Sequence, residues 1–451
     1  MKKKSISVLS FIILLSVSQG FNAQDQQKGL PAKGTNFCGT TEAMQKYYKT
    51  NPDAKAEQEA REAFTAEFVK NIANFKTESN NGQQAVAKYR IPVVFHVYGN
   101  SFGANGTTKL TDAQIVAALA ETNKDIQGLQ ADFATVNNNF STVKGTIDMS
   151  FELAKKDPNG NPTTGIDRSV VGTGAGMGNQ ITGVGAWNNQ KYVNIYIVRD
   201  LYNDQSYTNS GVCWYPNVTQ TKNNQAGAVY NGAYVGTNTD AEFRSVLTHE
   251  LGHFMNLIHT FGEGPDCNPG DNVADTPPHL ERYNLGCPTS QTSNTPLATD
   301  CGASHVINSE NFMDYNGCFC GYKNYTKGQV ARMEAALNLN DVTRFPLWQT
   351  SNLIATGLLS GVDINENIIA SDIDVYPNPS NGIFMLDISL KNAGSYKYEI
   401  TDILGKVISS SKIENDKLHS EEINLINQSK GVYFLHLTGL NCDTTIKLIN
   451  N

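Results

Sequence analysis

The chain has 451 residues, with 35 lysines and arginines against 43 aspartates and glutamates, a formal net charge of −8. That is too long for one ordinary domain and suggests about three units. Charged residues make up 17%, as in a globular protein, and with no basic stripe beyond the first four residues nothing points to nucleic acid as a partner.

Met1-Lys2-Lys3-Lys4 precedes an apolar run from Ile6 to Val17 and small or polar residues to Ala23. Charge, core length and flank are those of a secretory signal peptide, with cleavage expected near Gly20 to Ala23. The run is well short of the ~20 residues a spanning helix needs, so the mature protein is expected to be exported and not membrane-embedded. Residues 24 to about 85 are polar, with a helical stretch from Asn51 to Phe75 rich in Ala, Glu, Lys and Gln. Ser79-Asn80-Asn81-Gly82-Gln83-Gln84 reads as a linker.

The texture then changes. Ile91 to Tyr98 reads as a strand, and Thr111 to Asp132 as a helix with Ile115, Ala118, Leu119, Ile126 and Leu129 on its apolar face. Met149 to Ala154 and Tyr192 to Val198 are further strands, and glycine-rich Gly227 to Val235 is expected at a sheet edge, where an extended peptide could add as a strand. Thr239-x-x-Glu242 is a capping box ahead of a helix lined by Phe243, Val246, Leu247 and Leu251. Gly262 to Ser309 is Pro-, Gly-, Asn- and Cys-rich without periodicity, a loop long enough to imply a function or cross-links. Thr326 to Leu337 is a helix and residues 350 to 370 a looser connector. From Ile373 on, short alternating runs between turn residues describe a small all-β domain.

The chemistry concentrates in His249-Glu250-Leu251-Gly252-His253 and His259. On a helix, His249 and His253 lie one turn apart on one face and can share a metal ion. His259 joins them only if the chain turns soon after His253. Three imidazoles with a fourth position open describe a catalytic zinc site, and Glu250 is placed to act as general base on a water at that metal. Of eight cysteines, Cys38 and Cys442 are isolated, while Cys213, Cys267, Cys287, Cys301, Cys318 and Cys320 surround the motif. In an exported chain such an even set suggests disulfides, with fifteen possible connectivities.

His249 to Phe261, HELGHFMNLIHTF, resembles the zinc motif of the metzincins, and its trailing Thr260-Phe261 the pappalysin (cytophagalysin-like) branch. Asn311-Phe312-Met313-Asp314-Tyr315 resembles that branch's Met-turn, and Asp271-x-Val273-Ala274-Asp275-Thr276-Pro277 with Cys287-Pro288 the loop between them. The resemblance covers roughly Ile91 to Leu337. It departs at Asn256, where the family has glycine; asparagine is among the residues that best tolerate the positive φ expected there.

The resemblance implies a secreted zinc endopeptidase acting on protein or peptide substrates. His249, His253 and His259 would ligate zinc, Glu250 would be the general base, Met313 would underlie the metal and Tyr315 would stabilise the oxyanion. It implies disulfides Cys267–Cys301 and Cys287–Cys320, leaving Cys213 and Cys318 for an additional bridge. It implies calcium in the irregular loop, where Asp266, Asp271 and Asp275 offer hard oxygen donors. Cys38, in Asn36-Phe37-Cys38-Gly39-Thr40, resembles a Cys-Gly element of the family's pro-segments, and its thiolate would cap the zinc of a zymogen.

The last ~80 residues resemble the type-A sorting domain of the type IX secretion system. The matching pieces are Val375-Tyr376-Pro377-Asn378-Pro379-Ser380-Asn381-Gly382, Asp402-Ile403-Leu404-Gly405-Lys406, Gly431-Val432-Tyr433 and Lys447-Leu448-Ile449. This implies a Bacteroidetes-type source and the type IX machinery as a partner.

The expected organisation is a signal peptide (1–23), a propeptide (24–88), a catalytic domain (89–348), a linker (349–371) and a sorting domain (372–451). Lys88 and Arg90 are candidate processing sites. The fold class is α/β (α+β), metzincin-like, with a twisted mixed sheet and an active-site helix, followed by an all-β sandwich.

Overall fold

The computed structural model describes residues 38–75, 87–99, 102, 109–168, 182–202, 207, 209–235, 244–263, 267, 270–281, 288–293, 301, 306–315, 321–359, 372–402, 405–439 and 442–451. The signal peptide and Thr239-x-x-Glu242 lie outside them.

Two helices come first, α1 (Thr40–Thr50) and α2 (Pro52–Phe75). The central sheet follows. Strand β1 (Tyr89–Val97) carries eight buried residues of nine, because both its faces are covered. It pairs in parallel with β3 (Met149–Leu153), with short β4 (Ile166–Asp167) and with β5 (Val193–Val198); β5 pairs in parallel with β7 (Ala228–Asn231). The last strand, β6 (Gly211–Cys213), is antiparallel to β7, which makes the sheet mixed, in the order β3-β1-β5-β7-β6. The two-residue strand β2 (Lys144–Gly145) pairs elsewhere, with β8 (Tyr325–Thr326).

The glycine-rich segment expected at the edge is therefore internal. The edge is β6, whose three residues are too few to show a period of two.

On one face of the sheet, Ile91, Val93, Phe95, Ile195 and Ile197 pack against Ile115, Leu119 and Ile126 of α3 (Asp112–Gln127) and Leu247 and Leu251 of α5 (Val246–Phe254). On the other, Tyr98, Tyr196 and Val198 meet Ala43 and Met44 of α1.

Helix α3 opens with a reciprocal capping box between Thr111 and Gln114 and closes at Gly128, φ 66°. It stops short of the expected Asp132, and Leu129, assigned to its apolar face from the sequence, is 67% exposed beyond the helix end. Helix α4 (Val218–Lys222) is short, and α6 (Lys327–Asn338) again opens with a capping box, Thr326 with Gln329.

The C-terminal part is antiparallel: β9 (Asp372–Tyr376), β10 (Ile383–Asp402), β11 (Val407–Asn424), β12 (Gly431–Gly439) and β13 (Cys442–Asn450), in the order β11-β10-β12-β13 with β9 beside β10. Its own core includes Phe384, Leu386, Tyr398, Ile400, Leu435 and Leu448. No helix among the described residues is long and apolar enough to cross a membrane.

Candidate metal centre

Helix α5 places the first two histidines. It starts at Val246, and Ser245 at its N-cap makes no side-chain cap of its own. Asp125, projecting from α3, accepts hydrogen bonds from Ser245 Oγ (3.0 Å) and Thr248 Oγ1 (2.6 Å) instead, setting a carboxyl group at the start of the helix. The helix ends in a Schellman turn: Leu257 N–H donates to Gly252 O, Asn256 N–H donates to His253 O, and Asn256 takes φ 66°. That reversal, at the position where the motif departs from glycine, swings His259 back toward the pair. Arg344 Nε and Arg332 Nη2 donate to the carbonyls of Phe254 and Asn256, placing two cations at the helix C-terminus.

The three Nε2 atoms form a near-equilateral triangle: His249–His253 3.2 Å, His249–His259 3.2 Å, His253–His259 3.1 Å. A tetrahedral ion with bonds of about 2.0–2.1 Å needs nitrogens about 3.3 Å apart, so the set fits zinc. Each ring is turned by a partner on Nδ1. His249 lies 2.6 Å from Phe312 O, His253 2.8 Å from Leu257 O and His259 3.1 Å from Thr41 Oγ1. Two carbonyls and a hydroxyl leave the Nε2 lone pairs facing one another. Burial holds His249 down at about 4 and the other two well below the usual imidazole range, so the rings are neutral.

Cys38 Sγ completes the cluster, all four ligand atoms lying within 4.8 Å of one another. It also meets Thr40 Oγ1 at 3.0 Å and Glu250 Oε2 at 3.5 Å. Burial, then the Glu250 charge, raises the thiol well above its ordinary value. The Cys38 segment lies along the sheet edge: Cys38 bridges Gly211 in parallel, Gly39 N–H donates to Gly211 O, and Thr40 Oγ1 accepts from Cys213 N–H.

Glu250 is fully buried, its carboxyl pushed up to about 8 by burial, and its Oε1 has no partner. A Cβ at Gly211 would come within 2.5 Å of that oxygen, so glycine at the edge lets the carboxyl lie between strand and cluster.

Tyr315 packs its ring 4.7 Å from His259 and donates from its hydroxyl to Cys38 O at 3.0 Å. Met313 is buried beneath α5, where a Cβ at Gly252 would meet its Sδ at 2.5 Å; its carbonyl accepts from Thr260 N–H.

The loop residues fall into two groups. Cys267 and Cys301 are disulfide-bonded. Cys287, Cys318 and Cys320 lie outside the described residues. Cys213 corrects the expectation of an additional bridge: it is a free, fully buried thiol donating to Gly227 O, because β6 carries it into the sheet core. Asp266 also lies outside the described residues. Both oxygens of Asp271 accept from Thr276 Oγ1, at 2.7 and 2.8 Å. Asp275 Oδ2 accepts from Gly328 N–H, while its Oδ1 is buried without a partner, an atom a cation could take. Among the described residues the three histidines and Cys38 are the one cluster of three or more His, Cys, Asp or Glu able to hold a metal. Arg90 is no free processing site: it lies in β1, held by Glu152 at 2.7 and 2.6 Å and by Leu358 O.

Sequence reading missed Thr41, Gly211 and a buried group in which Asp314 Oδ2 meets Thr260 Oγ1 (2.6 Å) and His279 Nε2 (3.0 Å). Thr260 and Asp314 directly follow His259 and Met313, which was the available signal; His279 offered none.

Residues 177–338 match the family described as pregnancy-associated plasma protein-A, and residues 374–451 a secretion system C-terminal sorting domain. An extracellular metalloprotease of Arthroderma otae is 30% identical over 214 residues, 46% of this chain and 69% of its own. Another, of Sordaria macrospora, is 28% identical over 306 residues, 67% of this chain and 87% of its own. A solved structure of a Tannerella forsythia promirolysin mutant matches with TM-score 0.53 and 24% identity, over 71% of this chain and 97% of that one, a likeness of fold.

Proposed function

This chain belongs to the pappalysin family of metalloproteases and ends in a secretion sorting domain, and from that premise we propose a zinc endopeptidase that is exported as a latent precursor, with Glu250 as its general base. The observation that carries this reading is the triangle of Nε2 atoms at 3.1–3.2 Å with the buried Glu250 carboxyl group beside it.

His249, His253 and His259 would hold a zinc ion, which would supply Lewis acidity toward a water and the scissile carbonyl. Glu250 takes the proton of the attacking water on its carboxylate and returns it to the leaving amine nitrogen. Tyr315 donates its hydroxyl to the oxyanion. Support for that role is its present bond to the backbone carbonyl of Cys38, a peptide oxygen lying across the site. Gly211 to Cys213 offers the edge along which an extended substrate binds, as the Cys38 segment does here.

Latency follows from Cys38. Cys38 would serve as a further ligand to a zinc ion held by the three histidines, its thiol ionised by the metal, and its segment lies along the edge strand. A structural calcium ion near Asp271 and Asp275 belongs to the same reading, supported by the unpartnered Asp275 Oδ1. The type IX machinery is the export partner this reading assigns to residues 372–451.

Digestion of a peptide library by the processed enzyme tests the activity and reveals the residues flanking the cut. Glu250→Gln should lower kcat by about 10²–10⁴ with zinc content unchanged, the range for loss of a general base. Full activity in that variant would remove Glu250 from the mechanism.

A further inference from the structure

The residue that departs from the family motif is the one the N-terminal helix grips. Gln58 Nε2 donates to Asn256 Oδ1 at 2.9 Å, and Asn256 Nδ2 donates to Glu62 Oε1 at 3.1 Å. Glu62 also takes Arg332 in a two-point pair, 2.8 Å at each oxygen, and the same guanidinium donates to Asn256 O. Asn272 Nδ2 reaches Glu62 Oε2 at 3.3 Å. A turn earlier, Glu57 accepts from Val218 N–H and Asn217 Nδ2, and beside Glu62, Arg61 pairs with Asp341 at 2.8 Å.

Residues 57, 58, 61 and 62 form one stripe of α2, continued by buried Ala54, Thr65 and Phe68. Arg61 and Arg332 are each 3% exposed. Truncating one partner of a desolvated, hydrogen-bonded charge pair leaves the other buried and alone, which weakens association far more than losing a rim charge does. No contact in this set involves Cys38 or the three imidazoles.

We propose that residues 52–71 form a second docking element, independent of the thiol, that reads the turn between the second and third histidines. The surface is built from Asn217, Asn256, Asn272, Arg332 and Asp341, and its partner is the chain's own N-terminal helix after cleavage. Asparagine replaces glycine at 256 because it accepts positive φ and also carries the two hydrogen-bonding atoms that the helix recognises. Severing the chain ahead of β1 does not by itself free the enzyme; the helix must leave or be cut as well. This rests on the latent-precursor reading for the cut, but not on the thiol.

The test uses the zinc-loaded full-length precursor in a Glu250→Gln background, with a recognition site for an exogenous protease inserted in the Ser79–Gln84 linker. After cutting, gel filtration and dilution give the dissociation constant of the N-terminal fragment. The fragment should stay bound in the parent and, within about threefold, in Cys38→Ala. The pair Gln58→Ala with Glu62→Ala should weaken it at least tenfold. Release in Cys38→Ala, or full retention in the helix pair, overturns the proposal. If Glu62→Ala impairs folding of the precursor, judged by its melting, Glu62→Gln alone serves. It should still weaken binding at least threefold, and unchanged binding in that variant counts against the proposal. Latency through Cys38 is read separately, from peptidase activity with Glu250 intact, so the two claims fail independently.

Discussion

Gly252 stands between the two helical histidines, and its missing side chain lets the Met313 turn close beneath them. A Cβ there would meet Met313 Sδ at 2.5 Å and the Tyr325 hydroxyl at 3.0 Å. Overpacking of this kind costs about 1–3 kcal/mol, and the better helix propensity of alanine offsets up to about 1 kcal/mol. Gly252→Ala should therefore lower the denaturant midpoint and weaken zinc binding together. A more stable variant with unchanged zinc affinity would show that the methionine does not brace the helix. At this scale the sequence was most legible where residue type is dictated by chemistry: the histidines, Glu250, and Asn256 at positive φ. It was silent on Gly211, whose importance comes from a carboxylate thirty-nine positions away in the chain, and on His279, which only the fold brings to Asp314.

The loop that follows the motif carries a titration of its own. Burial pushes the Asp271 carboxyl up to about 7, above the ~3.9 of an unfolded chain. The native state thus holds this proton more tightly than the unfolded state. The stability the group contributes is full below about pH 4 and is lost as pH rises through 7. Asp271→Asn, which can still accept from Thr276, should flatten that decline and be more stable than the parent at pH 8 but not at pH 4, as read by thermal melting. Calcium added at pH 8 should raise the melting temperature of the parent and not of the variant; no calcium response in either would argue against an ion at Asp271. Elements followed the sequence where the apolar period was strong, as over most of α3 and in α6. They diverged where a strand was only three residues long, as in β6, and where Asp125 on another helix replaced a local cap at Ser245. Periodicity and local capping rules carry no information about either.

At the scale of the whole molecule, the proposed reading is an order of events: export, latency, release. Cys38 lies at the cluster while Gln58 and Glu62 of α2 hold Asn256 on the far side of the motif, and the proposed precursor would be restrained at both places. Cys38→Ala in the intact chain should show premature peptidase activity, measured before any cleavage, because water replaces the thiol at the cluster. A precursor as inert as the parent would reject the thiol as the source of latency. The metalloprotease family and the sorting domain were readable from two sets of short motifs. The docking of α2 was not, since its polar stripe of Glu57, Gln58, Arg61 and Glu62 looks like any solvated helix face until Arg332 and Asn256 are placed opposite.

The most direct measurement is the zinc content and affinity of the processed protein and of His259→Ala. Convergence of three imidazoles on one ion predicts one zinc per chain in the parent, and in His259→Ala an affinity lower by at least about 10²-fold, since losing even an outer-shell partner of a metal ligand costs 10–100-fold. Stoichiometric zinc bound with unchanged affinity in His259→Ala would contradict it.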